Sequence, residues 1–371
     1  MKYVQINAYS GGWADSIIFK KHRELVAAGD ESWVFWARGN REQDEHLQRI
    51  ANYPEVCLDV LQTRLDGKPG FHSKVITRRL LKKLDEIDPD VVHLHLLLGY
   101  YINVEMMFEW LSAHRCKVVW TLHDCWAFTG HCIHFTYVKC DQWRTGCACG
   151  AACPQKGTYP ETFAGDSAVR WSYEQKKRLF TMLPPERVQL ITPSQWLADL
   201  AKQSFLSKYD IEVVHNTINK NIFKPTPSDF RDRFGLVNRF VVLGVASKWS
   251  DRKGLADFVR LAKDLDSARF AVVMVGLSEK QITQLKGSAG QIVALPRTST
   301  PQELAAAYTA ADVFFNPTTE DNYPTVNLEA EACGTPVVTY NTGGCAETIK
   351  RSDSTVVQDF AAAVSSIKSR I

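Results

Sequence analysis

The residues most able to do chemistry lie in one stretch, Asn316–Glu347, where two acids stand close to a glycine turn. Asp321 lies in a loop, and Glu329 follows eight residues later in a helix. That helix can begin at Pro324, because the first helical residue has no amide hydrogen bond to lose. Gly343–Gly344 is then expected to open another helix, whose N-terminus would seat a diphosphate. The two carboxylates can accept hydrogen bonds from sugar hydroxyls, and the helix N-terminus beside them can bind phosphates. Together they predict the binding of a nucleotide sugar.

The same stretch resembles the signature of the retaining, family 4 (group 1) glycosyltransferases. The shared pattern is a carboxylate, seven residues and a glutamate, then small-x-Gly-x-Pro-Val-Val and a Gly-Gly turn ending in Glu. Asp321 stands where the family usually has glutamate, and Asp-Asn-Tyr-Pro at 321–324 is similar to the colanic-acid and exopolysaccharide subgroup. The resemblance implies an α/β protein of the GT-B type, in which two Rossmann-like doubly wound domains face each other across a cleft.

The resemblance also implies a role for each matched residue. The expected catalytic residues are His123, in the segment Thr-Leu-His-Asp, together with Asp321 and Glu329, which would accept from hydroxyls of the donor sugar and of the ribose. Two lysines beside a helix start would balance the diphosphate charge. The expected donor-binding residues are Gly11, Gly12, Lys248, Lys253, Asp321, Asn322, Tyr323, Glu329, Gly343 and Gly344. The implied reaction is front-face attack with retention, in which the leaving phosphate helps take the acceptor proton and no cofactor is required.

The elements that must position these residues form two α/β domains. A chain of 371 residues is too long for one ordinary core. We expect an N-terminal, acceptor-side domain at residues 1–224 and a C-terminal, nucleotide-sugar-binding domain at residues 225–371. In each, strands alternate with helices, as in a doubly wound sheet. The first strand, Lys2–Ala8, leads into Gly11–Gly12 without a G-x-G-x-x-G fingerprint, which argues against a nicotinamide dinucleotide.

A cysteine-rich insertion is expected at residues 124–165. Six cysteines fall within 29 residues, at 125, 132, 140, 147, 149 and 153. They could be reduced, packed thiols, or they could hold a structural zinc ion that orders a long loop without a core of its own. Colanic-acid-type relatives resemble this segment at Cys132, Cys140, Cys147 and Cys153. That resemblance implies these four as the zinc ligands, with Cys149 as a substitute.

Composition limits the compartment and the partners. The net charge of +3 permits anionic ligands without demanding nucleic acid, and none is expected as a partner. No signal peptide or long apolar span is visible, and ten cysteines without an export signal argue against a disulfide framework. The sequence therefore predicts a cytoplasmic protein. The basic helix over residues 73–87 could be a solvated face, or it could make peripheral contact with the inner membrane face, as a lipid-linked acceptor would favour.

The predicted function is transfer of a sugar from a nucleotide-sugar donor to a glycan or lipid-linked acceptor in exopolysaccharide, capsule or O-antigen biosynthesis. The alternatives are a catalytically weak relative and a zinc-containing protein that binds glycan or nucleotide. A glycoside hydrolase would also use two carboxylates, as acid and nucleophile, but it has no use for an anion seat.

Overall fold

The computed structural model describes residues 1–11, 15–288 and 292–371, and these form two compact units. The first unit is Met1–His215 and the second is Asn216–Ile371. The sequence places the boundary later, between residues 224 and 225. Gly12, one of the expected donor-binding residues, lies outside the described residues.

The first unit is built on a seven-stranded sheet in which all neighbouring strands are parallel. Its strands are β1 (Lys2–Tyr9), β2 (Glu31–Arg38), β3 (Leu47–Arg49), β4 (Val91–Leu94), β5 (Lys117–Thr121), β6 (Val188–Thr192) and β7 (Asp210–Val213). Their order across the sheet is β3-β2-β1-β4-β5-β6-β7. Parallel strands need crossover connections, and here helices supply most of them.

The helices of the first unit are α1 (Lys20–Ala27), preceded by a π-helical turn at Asp15–Phe19, α2 (Tyr53–Asp66), α3 (Lys74–Ile87), α4 (Val104–Ala113), α5 (Asp166–Phe180) and α6 (Gln195–Lys202). Local chemistry sets the ends of α2. Asn52 and Glu55 form a capping box, and Gly67 closes the helix at φ 70°, where glycine is favoured. The sequence between residues 38 and 70 predicts only loop and partial helix, so the complete helix α2 corrects that expectation.

The second unit repeats the plan with a six-stranded parallel sheet. Its strands are β8 (Phe240–Val245), β9 (Phe270–Val275), β10 (Ile292–Leu295), β11 (Val313–Asn316), β12 (Val337–Tyr340) and β13 (Thr355–Val357). Its helices are α7 (Phe230–Arg233), α8 (Leu255–Asp264), α9 (Glu279–Ser288), α10 (Pro301–Thr309), α11 (Thr325–Ala332) and α12 (Phe360–Lys368). Strand β9 is buried along its whole length, as expected for an inner strand covered on both faces.

The strand order of the second sheet, β10-β9-β8-β11-β12-β13, reverses direction at β8. From β8 the chain first builds outward to β9 and β10, and then returns to β11 on the other side. Such a switch point is where doubly wound sheets bind their ligands.

The cysteine-rich segment has little regular structure. Between residues 125 and 165 it contains two short 3-10 turns, Trp126–Phe128 and Gln142–Arg144. Three aromatic side chains from this segment, Phe128, Phe135 and Trp143, are almost fully buried and pack against one another. The segment thus carries a small aromatic core that joins the core of the first unit.

None of the helices in the parts of the chain that the structure describes is long and apolar enough to span a membrane.

Candidate functional site

The carboxyl ends of β8 and β11 bring an expected lysine and an expected acid together. After β8, a 3-10 turn at Asp251–Lys253 leads into α8. After β11, the loop carries Asp321. The Lys253 ammonium donates a hydrogen bond to the Asp321 carboxylate, and the two form an ion pair. Their side chains are 22% and 19% exposed, so the pair is reachable from solvent.

Backbone contacts hold these two loops against each other. The Thr319 amide donates to the carbonyl of Arg252 at 2.9 Å, and the Arg252 guanidinium donates to the carbonyl of Glu320. Gly254 has φ 74°, and a Cβ there would lie 2.4 Å from Cγ of Pro317. Only glycine fits such a close approach in the left-handed region. The position of Lys253 relative to Asp321 is therefore set by backbone geometry.

The glycine turn after β12 also packs on the Asp321 loop. The Gly344 amide donates to the Asp321 carbonyl at 2.9 Å, so this donor is already used within the protein. The sequence predicted that Gly343–Gly344 opens a helix, and this is wrong. A single 3-10 turn, Ala346–Thr348, follows instead. Because no helix begins there, no helix dipole contributes to an anion seat at this turn.

Glu329 lies on α11, where its carboxylate accepts a hydrogen bond from the Tyr308 hydroxyl at 3.1 Å. Burial raises the pKa of Glu329 to about 7, although hydrogen bonds from the hydroxyls of Tyr308 and Thr325 act in the opposite direction. Tyr308 is fully buried on α10. Glu329 is thus poised between its neutral and charged forms near neutral pH.

A buried network anchors α11, and sequence patterns missed it. The Asn316 amide donates to the side-chain oxygen of Asn327 at 2.9 Å, and the Asn327 amide donates to the Thr348 hydroxyl at 2.9 Å. All three side chains are buried. An asparagine at the end of an apolar strand, eleven residues before another in a helix, was the available signal. The network ties β11, α11 and the glycine turn into one frame.

The remaining expected donor-binding residues of the second unit differ in exposure. Asn322 and Tyr323 are buried, at 7% and 5% exposure, beside the Asp321 loop. Lys248 is exposed on the loop after β8. The structure therefore joins Lys253 to Asp321 directly, places Glu329 against Tyr308, and leaves Lys248 at the surface.

Three histidines stack at the carboxyl ends of β4 and β5. The rings of His93 and His95 lie 4.0 Å apart between centroids, and those of His95 and His123 lie 5.5 Å apart. His95 Nδ1 and His123 Nε2 are 3.2 Å apart, within hydrogen-bond distance. Burial lowers the pKa of His93 and of His123 to about 3. The stack is therefore neutral at physiological pH, and His123 joins it through His95. Gly11, on the loop after β1, is exposed.

Four of the cysteines line one small cavity in the first unit. They are Cys132, Cys140, Cys147 and Cys153, the four that the sequence singled out. Cys149, the expected substitute, is exposed and does not line the cavity. All of these thiols are free. Within the described residues, no group of three or more His, Cys, Asp or Glu side chains is arranged to hold a metal ion.

Two units with parallel, doubly wound sheets define the GT-B fold of glycosyltransferases, and comparison with known proteins identifies the family. Residues 18–221 match Glycosyltransferase Family 4, and residues 239–369 match the group 1 glycosyl transferases. The chain belongs to Glycosyltransferase Family 4 and is a glycosyltransferase. The family and the fold class predicted from sequence are confirmed.

Individual relatives agree with this assignment. The chain is 24% identical to the Escherichia coli (strain K12) protein assigned as colanic acid biosynthesis glycosyl transferase WcaC, over 97% of this chain and 88% of that one. Its fold is similar to sucrose-phosphate synthase from Thermosynechococcus elongatus, with a TM-score of 0.68, 14% identity, and coverage of 99% and 89%. It is also similar to Anabaena HepE in complex with UDP and glucose, with a TM-score of 0.64, 17% identity, and coverage of 100% and 89%.

Proposed function

We propose that this glycosyltransferase moves a sugar, with retention of anomeric configuration, from a nucleotide-sugar donor to a glycan or lipid-linked acceptor in exopolysaccharide biosynthesis. The colanic acid assignment of its E. coli relative supports the pathway class. The presence of UDP and glucose in the HepE complex supports a nucleotide-sugar donor.

One observation carries the donor assignment, namely the ion pair of Lys253 and Asp321 at the switch point of the second sheet. A lysine is a point-charge donor for phosphate, and a carboxylate accepts from sugar hydroxyls. A nucleotide sugar carries both groups close together, since its sugar is joined to the diphosphate through the anomeric oxygen. A site that serves both must therefore hold a cation and an acid side by side.

The other residues take roles around this pair. Lys248 adds positive charge for the diphosphate from the loop after β8, and Glu329 accepts from the ribose hydroxyls. Asn322 and Tyr323 shape the loop that carries Asp321, and Gly343 and Gly344 keep the neighbouring backbone close to it. In the first unit, we propose that His123 contacts the transferred sugar and that Gly11 belongs to the donor-binding loop. No cofactor takes part in this scheme.

We further propose that the first unit docks on a membrane surface, as a lipid-linked acceptor requires. Exposed apolar residues form one face of α2, within about 140° of arc at 100° per residue. They are Tyr53, Leu58, Leu61 and Leu65, from 55% to 81% exposed. The neighbouring α3 exposes Lys74, Arg78 and Lys82. Exposed apolar side chains on one helix and exposed cations on the next suit an anionic lipid surface.

The experiment that tests the proposed function has two arms. A thermal-shift screen with UDP, GDP, ADP and CMP sugars identifies the donor, and a transfer assay then uses that donor. Lys253→Met should lower turnover by about a hundredfold or more, because a charge that stabilises the leaving phosphate is lost. Lys368→Met, at an exposed position on α12, is the matched control and should keep wild-type turnover. Near-normal turnover in Lys253→Met would contradict the assignment.

The same experiment distinguishes an active transferase from a catalytically weak relative. If a donor raises the melting temperature of the protein but is not transferred to any acceptor fraction tested, the protein binds the donor without catalysing transfer. NMR of the anomeric proton of the product gives the configuration of the transferred sugar. An inverted configuration would refute the retaining mechanism but would not contradict the donor site.

A further inference from the structure

The cysteine-rich segment contains a cluster of thiols that the transferase reaction does not use. Cys132, Cys140, Cys147 and Cys153 line one cavity, and each lies close enough to others of the set that a charge on one would disfavour a charge on the next. Burial raises the pKa of these thiols where a shift is resolved, for Cys147 to about 12. Negative charge on Cys132, Cys147 and Cys153 is therefore disfavoured unless a cation compensates it.

The backbone around the cavity is nevertheless organised to hold negative charge on sulfur. The Gly130 amide donates to Sγ of Cys147 at 3.1 Å. Hydrogen bonds from the backbone of Gln155 and Lys156 to Cys153 likewise favour its charged form. Amide hydrogen bonds are stronger to a charged acceptor than to a neutral one, so these donors gain most when the sulfurs are thiolates. Such donors are also the outer partners that orient the ligands of metal sites.

A buried lysine beside the same thiols gives an independent indication. Lys176 on α5 is fully buried, and its ammonium donates to the Trp126 carbonyl at 2.6 Å. Burial lowers the pKa of Lys176 to about 7, whereas negative charge on Cys147, Cys132 or Asp124 would raise it. A buried cation is costly unless anions compensate it. Two of the three candidate anions are thiols, which supply charge only when they lose their protons.

We propose that Cys132, Cys140, Cys147 and Cys153 bind one Zn²⁺ ion as a structural tetrathiolate site, with Lys176 as its buried counter-charge. Four thiol protons leave to solvent, four Zn–S bonds form, and no oxidation or reduction takes place. The sulfurs must turn toward one another by side-chain rotation, because in the described residues they are not yet in a ligating arrangement. A dication with four thiolates carries two net negative charges, and the lysine offsets one of them.

The chemistry of the set points to zinc and to a structural role. Thiolates at four corners of a tetrahedron are typical of structural zinc, and they leave no open position for a substrate or a reactive water. Between residues 125 and 165 the helical structure is limited to two 3-10 turns, so a metal would add order to a segment otherwise held by its buried aromatic side chains. The site is therefore expected to stabilise the first unit without entering the sugar transfer.

The test begins with the wild-type chain purified without chelator or added metal. Elemental analysis should give one zinc per chain, and Co²⁺ exchanged into the site should show the intense thiolate charge-transfer and tetrahedral ligand-field absorptions. Cys140→Ser should abolish these signals. Cys149→Ser changes an exposed cysteine of the same segment and should keep them. A wild-type chain that contains no zinc and takes up none from micromolar solution would overturn the proposal, whether or not the variants fold.

Lys176→Met tests the counter-charge. The variant should bind zinc about ten- to a hundredfold more weakly in a competition with a chromophoric chelator, the range found when outer partners of a metal site are removed. Unchanged zinc affinity would overturn the role of Lys176. Lys177→Met, one position along α5 and exposed, is the matched control and should bind as the wild type does. Donor affinity of the second unit should not change in any of these variants, so failure here leaves the proposed transferase function untouched.

Discussion

Gly343 lies so close to the backbone of Asp321 that a Cβ on the glycine would stand 2.0 Å from the Asp321 carbonyl oxygen. Gly343 also has φ 56°, which side chains rarely tolerate. The neighbouring Gly344 amide donates to the same oxygen. The glycine turn therefore fixes the loop that carries the carboxylate facing Lys253.

Gly343→Ala is expected to displace the Asp321 loop and weaken donor binding by at least about tenfold, because the added carbon cannot be accommodated without backbone movement. Calorimetric titration with the donor measures this. Gly235→Ala is the matched control, since Gly235 also has positive φ (65°) but a Cβ added there would meet nothing within 4 Å. It should cost about 1 kcal/mol of stability and leave donor affinity unchanged. Equal donor affinity in both variants would contradict the packing argument.

Donor binding is expected to strengthen as the pH rises through about 7. Burial raises the pKa of Glu329 to about 7, and its charged form is the better acceptor for ribose hydroxyls. Below that pH the carboxyl must lose its proton when the donor binds, so affinity falls by up to about tenfold per pH unit. Titration with an intact nucleotide sugar between pH 5.5 and 8.5 measures the effect, because its diphosphate diester does not titrate in this range.

Two variants test the origin of this pH dependence. Glu329→Gln should bind the donor weakly and with a flat pH profile. Tyr308→Phe removes the hydroxyl that donates to Glu329, so it should move the midpoint of the profile to higher pH. A midpoint that stays in place in Tyr308→Phe would show that this hydrogen bond does not tune the carboxylate.

The stacked histidines are expected to make the first unit sensitive to acid. The folded-state pKa of His93 and of His123 is about 3, below the ordinary value of 6.5. Between these values the unfolded chain binds more protons than the folded chain, so stability is lost as the pH falls below 6.5. His95→Phe keeps an aromatic ring but removes one titrating group, and the slope should fall by about 1.4 kcal/mol per pH unit. Chemical denaturation from pH 4 to 7 measures it.

The control for that series is Thr121→Val. It removes the hydroxyl that contacts His93 Nε2 at 2.8 Å, but it leaves every histidine in place. It should lower stability at all pH values and keep the wild-type slope. An equal loss of slope in both variants would mean that disruption of packing, and not the histidine charge, governs the acid response.

Membrane docking is expected to depend on the apolar face of α2. Leu58→Gln with Leu61→Gln should weaken binding to vesicles of anionic phospholipid by about tenfold or more, since two exposed leucines no longer enter the lipid interface. Co-sedimentation at low and high salt measures it, and salt should weaken the wild type through the cations of α3. Val237→Gln, also 56% exposed but in the second unit, is the control. Equal sedimentation of all three proteins would exclude this surface.

The sequence predicted the fold class because both sheets are made of apolar strands separated by amphipathic helices. The resemblance to the family also singled out Lys253 and Asp321. The sequence pattern failed at Gly343–Gly344, where a glycine pair looked like the start of a helix. The intrachain bond from the Gly344 amide to Asp321 could not be foreseen, since it depends on two loops meeting in space.

Other features could not be predicted from patterns along the chain. The network of Asn316, Asn327 and Thr348 joins a strand, a helix and a turn, and the spacing of the two asparagines does not show which groups pair. The exposed leucines of α2 were missed because that region was not recognised as a complete helix. The sequence marked the four cysteines around one cavity, but it gave no sign that Lys176 would be buried beside them.

The contact between Lys253 and Asp321 gives the pocket an internal competitor. If the site binds a nucleotide sugar as proposed, the diphosphate has to take the ammonium away from the carboxylate, and the carboxylate is then released to meet the sugar. The nucleoside diphosphate that remains after transfer carries no sugar. It therefore offers a phosphate to Lys253 but no hydroxyl group to Asp321 in place of the broken ion pair. The enzyme should consequently hold fresh donor in preference to its own by-product, which favours rapid turnover where both accumulate.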